Sequence, residues 1–163
     1  MPPRWSASRR RRAARPRPAA RLRASRPAIA QRHGVSCVEA DPVTESTVTA
    51  VHDPDYVEAV RSFCTDGGGN WDPDTVASAD TWDAARASAG LAEWAAREAA
   101  GGADGRETPF SIGRPPGHHA VTDDAMGFCF VNNAAVAVHS VIDDPLVAVA
   151  RAVVLHRDPL PGN

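Results

Sequence analysis

Apolar positions recur with a helical period through the middle of the chain. After Asp53-Pro54, the residues Tyr56, Val57, Val60 and Phe63 fall on one face. Asp at the N-cap and Pro in the first turn suit a helix start, so a helix is expected from Pro54. A longer helix is expected over Ala79 to Ala100, where Trp82, Ala85, Ala89 and Trp94 lie near one face and Gly101-Gly102 ends the run. Val131 to Ile142 reads as a third helix, and Phe110-Ser111-Ile112 and Val147 to Leu155 read as buried strands on either side of it. That β-α-β order predicts parallel strands in an α/β fold. Arg21 to Arg32 reads as a helix interrupted by Pro27, because a proline in a helix interior costs about 3 kcal/mol. Asp66-Gly67-Gly68-Gly69-Asn70 reads as a mobile loop. It lacks the Lys-Ser/Thr ending of a phosphate-binding loop.

Charge divides the chain in two. The formal net charge is −2, yet the first 38 residues hold eleven arginines and no acid, and the remainder holds seven arginines against twenty acids, a formal charge of −13. All eighteen basic residues are arginine. Residues 1 to 20 are expected to be an Arg-rich disordered segment, followed by one domain from residue 21 to residue 163. The arginines could contact phosphates and release counterions, which keeps an Arg-rich nucleic-acid-binding protein as an alternative, although Trp5 alone is available there for base stacking. An organelle transit peptide is also Arg-rich and acid-poor. No apolar run approaches the ~20 residues of a membrane helix. Cys37, Cys64 and Cys129 are odd in number and widely spaced, which predicts neither a disulfide framework nor a structural zinc site and fits a reducing cytoplasm.

Candidate chemistry gathers in Arg114-Pro115-Pro116-Gly117-His118-His119-Ala120 and Gly127-Phe128-Cys129-Phe130-Val131-Asn132-Asn133. Two prolines stiffen the approach and Gly117 permits a sharp turn before two adjacent imidazoles. Histidine titrates nearest neutrality, and two together can divide the roles of general base and general acid. An isolated His-His pair is more often a surface feature, and Cys129 and Phe130 taken alone read as core residues.

These two motifs closely resemble the histone deacetylase superfamily, which includes acetylpolyamine and acetoin-utilisation amidohydrolases. His52-Asp53-Pro54-Asp55-Tyr56-Val57, Asp72-Pro73-Asp74-Thr75 and the helical stretch Ala84 to Ala100 extend the resemblance. It implies an arginase-like three-layer α/β fold with a parallel sheet, of which this chain would be an N-terminal part. It also implies zinc-dependent hydrolysis of acetyl-lysine or another acetylated amine, with a metal-bound water attacking the carbonyl. By resemblance His119 is the general base and His118 its electrostatic or acid partner. Gly127 would offer its carbonyl to the substrate amide, Phe128 would line the acyl channel, Cys129 would lie near the metal and Asp72 would hold substrate backbone at the rim.

A catalytic zinc takes about three protein ligands plus a water, and the resemblance places them on a strand reading Asp-Trp-Asp-Val-His-His-Gly-Asn. His156-Arg157-Asp158-Pro159-Leu160-Pro161-Gly162-Asn163 keeps Asp158, Gly162 and Asn163 of that pattern and puts Leu160 where the ligand histidine belongs. Asp158 is the one expected ligand retained. A further metal Asp and a late Tyr, both expected after Asn163, do not occur in the chain. The departures Asp to His, Trp to Arg, His to Leu and His to Pro are each a single-nucleotide change away, as coding decay would leave them. Zinc is therefore the cofactor the resemblance calls for, with binding by this chain opposed by Leu160.

Overall fold

A computed structural model describes residues 20–101, 108–145 and 152. Five helices and a two-stranded sheet are formed among these residues: α1 (Ala20–Ala30), α2 (Glu45–Thr49), α3 (Pro54–Thr65), β1 (Gly68–Asn70), β2 (Val76–Ser78), α4 (Thr81–Ala100) and α5 (Asn133–Ile142). The expected Arg-rich segment, apart from Ala20, and the zinc-ligand strand around Asp158 lie outside the described residues.

Local chemistry accounts for the helix starts. The Asp53 carboxylate accepts from the Asp55 amide at 2.8 Å with Pro54 following it, as the sequence predicts. Asn132 caps α5 by accepting from the Ala135 amide at 3.0 Å, so that helix begins two residues later than its apolar pattern suggests. Helix α4 ends at Gly101 as expected. Helix α1 runs through Pro27 rather than being interrupted there. It packs little on the other elements, and Arg26 pairs with Glu39 at 3.0 Å.

The core joins α2, α3, β2, α4 and the segment leading into α5: Val48, Val57, Val60, Ala85, Ala89, Phe130, Val131 and Val136 are all buried. Its most extensive helix contact is α4 on α5. Trp71 sits edge-on to Tyr56, Phe63 and Phe130, with ring centroids 5.9, 5.4 and 6.4 Å away, an arrangement that favours contact between a ring's positive edge and a neighbour's face. Gly90 lies inside α4 because the backbone crosses it there: a Cβ at that position would fall 2.0 Å from the Asp41 carbonyl oxygen. Arg86 secures the same crossing, donating from Nε to the Val43 carbonyl at 2.8 Å.

Two further expectations are corrected. Phe110-Ser111-Ile112 is not a strand, and Phe110 is 75% exposed rather than buried. A strand needs a neighbouring backbone to pair with. The partner expected for this one, Val147 to Leu155, lies outside the described residues except for position 152, so no parallel pair occurs among them. The glycine run is not simply a loop either, since Gly68–Asn70 pairs antiparallel with Val76–Ser78. Glycine makes this pairing possible: Gly68 has φ +78°, and a Cβ there would sit 2.6 Å from the Ala77 carbonyl oxygen.

Candidate functional site

The tandem histidines are carried by a segment anchored to two helices. Ser88 on α4 donates its hydroxyl to the Pro115 carbonyl at 2.9 Å and accepts from the Asn133 side-chain amide at 2.9 Å. The Ala134 amide in the first turn of α5 donates to the Gly117 carbonyl at 3.1 Å. Gly117 is buried with no room for a side chain, since a Cβ would meet the Asn133 side chain 2.1 Å away. Beyond these anchors the ring centroids of His118 and His119 lie 4.1 Å apart at an interplanar angle of 51°. His118 is exposed and His119 half-buried.

The second motif folds into a tight turn. Met126 and Cys129 exchange both backbone hydrogen bonds, at 3.2 and 2.9 Å, and the two residues between them have positive φ, +57° at Gly127 and +67° at Phe128. That is the pattern of a type I′ turn. For a bulky side chain such as Phe128 it is a strained conformation. Its amide is held by the buried hydroxyl of Thr75 at 3.2 Å, and the residue remains 42% exposed. The turn brings Gly127 against the imidazole of His119, where a Cβ would come within 2.7 Å of Cδ2. Cys129 is fully buried and its thiol lies 3.5 Å from the Gly127 carbonyl. Phe130 is a core residue, as its surroundings suggest.

Asp72 joins the same assembly through Thr75. Its Oδ1 accepts from the amides of Asp74 at 2.7 Å and Thr75 at 2.6 Å, and Thr75 in turn receives the Phe128 amide. Burial alone would raise the Asp72 carboxyl, but the bonds from Asp74 and Thr75 outweigh it and hold the group below its ordinary value. The turn that carries Asp72 is also tied to the histidine-bearing loop by Trp71, whose Nε1 donates to Asp124 at 2.9 Å.

His118, His119, Gly127, Phe128, Cys129 and Asp72 thus belong to one connected region. Asp158 lies outside the described residues. Among those residues no three His, Cys, Asp or Glu side chains are gathered so as to hold a metal ion. The donors among the described residues do not by themselves make up a zinc centre.

Several supporting groups escape sequence reading. His52 is buried, with Nδ1 3.2 Å from the Thr122 carbonyl and Nε2 accepting from the Asn132 amide at 2.9 Å. Loss of solvation lowers its pKa, more than its contacts with the Thr122 and Val121 backbone raise it. Tyr56 donates its hydroxyl to the Phe130 carbonyl at 2.7 Å, and burial, followed by the charge of Asp124, pushes its pKa well up. The available signals are a polar Ser88 on an apolar helix face and a histidine four residues before the buried tyrosine.

The histone deacetylase domain profile matches residues 12–157, and the chain belongs to this family. It is 41% identical over 116 residues to a probable deacetylase of Methanothermobacter thermautotrophicus, covering 71% of this chain and 33% of the relative. It is 39% identical over 126 residues to a histone deacetylase-like amidohydrolase of Pseudomonas aeruginosa, covering 76% and 32%. An acetylpolyamine amidohydrolase of Mycoplana ramosa is 43% identical over 74 residues, covering 43% and 20%. The solved HDA15 HD domain superposes with a TM-score of 0.64 at 36% identity, over 74% of this chain and 35% of that one, and the two share a fold over that part. The chain thus spans about a third of the length of such curated relatives. No helix among the described residues is long and apolar enough to cross a membrane.

Proposed function

We propose that the tandem histidines and the 126–129 turn form the acyl-amide end of a deacetylase site for acetyl-lysine or another acetylated amine. His119 is the general base, His118 its electrostatic or acid partner, and the Gly127 carbonyl the acceptor for the substrate amide. Phe128 lines the acyl channel, Cys129 lies beside the metal position, and Asp72 holds substrate backbone at the rim. An arginase-like three-layer arrangement with a parallel sheet, of which this chain carries the N-terminal part, belongs to the same reading. The observation that carries it is the close approach of Gly127 to the His119 ring, where a Cβ would lie 2.7 Å from Cδ2, because it packs the proposed amide-accepting residue against the proposed proton-transfer group. The acetylated-amine class is supported by relatives named for acetylpolyamine hydrolysis and deacetylation.

Zinc would supply a polarised carbonyl and an activated water. In this chain Asp158 remains to hold it, while Leu160, flanked by Pro159 and Pro161, has no lone pair at the position of the expected histidine. The proposal is therefore a site of deacetylase type without turnover. The full chain, loaded with zinc, dialysed and analysed for metal, is expected to hold less than one equivalent and to leave acetyl-lysine peptide and acetylated polyamine intact. Stoichiometric zinc together with hydrolysis that is lost in H119A would show a working deacetylase and overturn the inactive part of this reading.

A further inference from the structure

The two ends of the loop from Ala120 to Asn132 are drawn together at one narrow neck, and His52 lies in that neck. The Asn132 side-chain amide donates to the Ala120 carbonyl at 2.8 Å, and its backbone amide donates to His52 Nε2 at 2.9 Å. On the opposite edge of the ring, Nδ1 meets the Thr122 carbonyl at 3.2 Å, and that carbonyl also accepts from the Asp53 amide at 2.9 Å. Since Nε2 accepts, Nδ1 carries the proton, and the ring is a neutral donor-acceptor bridge between the two strands of the neck. One helical turn further on, Tyr56 holds the Phe130 carbonyl, and its ring lies 5.3 Å from that of His52. His119 immediately precedes this loop, and Gly127 at its far end folds back onto the His119 ring.

We infer that His52 is a positioning residue that closes the neck of the 120–132 loop and thereby seats Gly127 against His119. The inference rests on reading those two residues as site residues, but its tests do not depend on zinc or hydrolysis. Its distinguishing feature is polarity: one ring nitrogen must donate and the other must accept. Asn in place of histidine reproduces the Nδ1 donor alone, and Gln reproduces an acceptor at the Nε2 position alone.

Heteronuclear NMR of the full chain tests this in two ways. In the unmodified protein at neutral pH, the imidazole nitrogens of His52 are expected to report the Nδ1–H tautomer; the Nε2–H tautomer or an imidazolium would overturn the inference even if no variant folds. In the variants, the Asn132 amide should keep its exchange protection in H52Q and exchange at least about tenfold faster in H52N, because a half-buried donor loses its acceptor. The His119 ring signals should follow the same order at matched global stability. Equal protection in H52Q and H52N, or His119 signals indifferent to both, would show His52 to be ordinary core.

Discussion

Replacing Gly127 by alanine isolates the contact on which the site is built. Two penalties arise, and they can be separated. The first is conformational, since φ is +57° and a side chain in the left-handed region costs about 1–2 kcal/mol. The second is steric, since the new Cβ would lie 2.7 Å from Cδ2, 2.9 Å from Cγ and 3.0 Å from Cβ of His119, so the imidazole must move. Overpacking of this kind costs about 1–3 kcal/mol. Gly34 supplies the control: its φ is +78° and a Cβ there would meet nothing within 4 Å. Both substitutions also remove glycine's extra freedom from the unfolded chain, which returns about 0.4–1 kcal/mol in each case.

The difference between G127A and G34A is therefore the steric part alone, expected at about 1–3 kcal/mol. Urea unfolding of the full chain reads it as a lower midpoint for G127A at unchanged slope. The His119 imidazole resonances should shift in G127A and stay in place in G34A. Unfolding free energies equal within about 0.5 kcal/mol, the usual effect of an innocuous surface change, would show that Gly127 does not bear on His119. The geometry of the site would then be wrong.

Three other perturbations probe the scaffold. Y56F removes the donor to the Phe130 carbonyl and should lower stability by about 1–3 kcal/mol in thermal unfolding; because Tyr56 is the one tyrosine, its phenolate absorbance should also fail to appear at its ordinary pKa of 10.0 and emerge at higher pH or on unfolding. S88A breaks the link between Pro115 and Asn133 and should accelerate exchange of the Ala134 amide more than that of Val57 in α3, which separates loosening of the histidine segment from global unfolding. His52 is held neutral in the folded state, with its pKa lowered by burial from 6.5, so the unfolded chain binds the extra proton first as pH falls. Its contribution is then fully present above pH 6.5 and is lost as pH drops below that value towards the folded pKa, a slope that H52Q should abolish in pH-dependent melts.

The helices were legible because their determinants are local. Asp53-Pro54 sets the start of α3, Gly101 the end of α4, and the valine and tryptophan spacings identify the buried faces. The candidate residues were legible through two contiguous motifs. What escaped depends on contacts distant in sequence. His52 finds its partners 70 and 80 residues away, and nothing adjacent to it specifies a donor on one nitrogen and an acceptor on the other. The β1–β2 pairing escaped for a related reason: three glycines alone suggest freedom, and only the approach of Ala77 to Gly68 gives them a fixed conformation. Phe110 to Ile112 shows the converse, an apolar triplet that forms no strand among the described residues and leaves Phe110 exposed.

These distant contacts also separate the shape of the candidate site from its metal chemistry. Ser88 and Ala134 hold Pro115 and Gly117, His52 and Asn132 close the loop neck, and Thr75 fixes the Phe128 amide. None of these bonds involves residues 156 to 163. Substitutions among residues 156 to 163 leave the partners of these bonds unchanged, whereas a change at Ser88, His52 or Thr75 removes one of them directly. If Leu160 abolishes turnover, the acyl-amide end should persist as a folded surface, and restoring a histidine there should alter metal affinity without altering the exchange protection of Asn132.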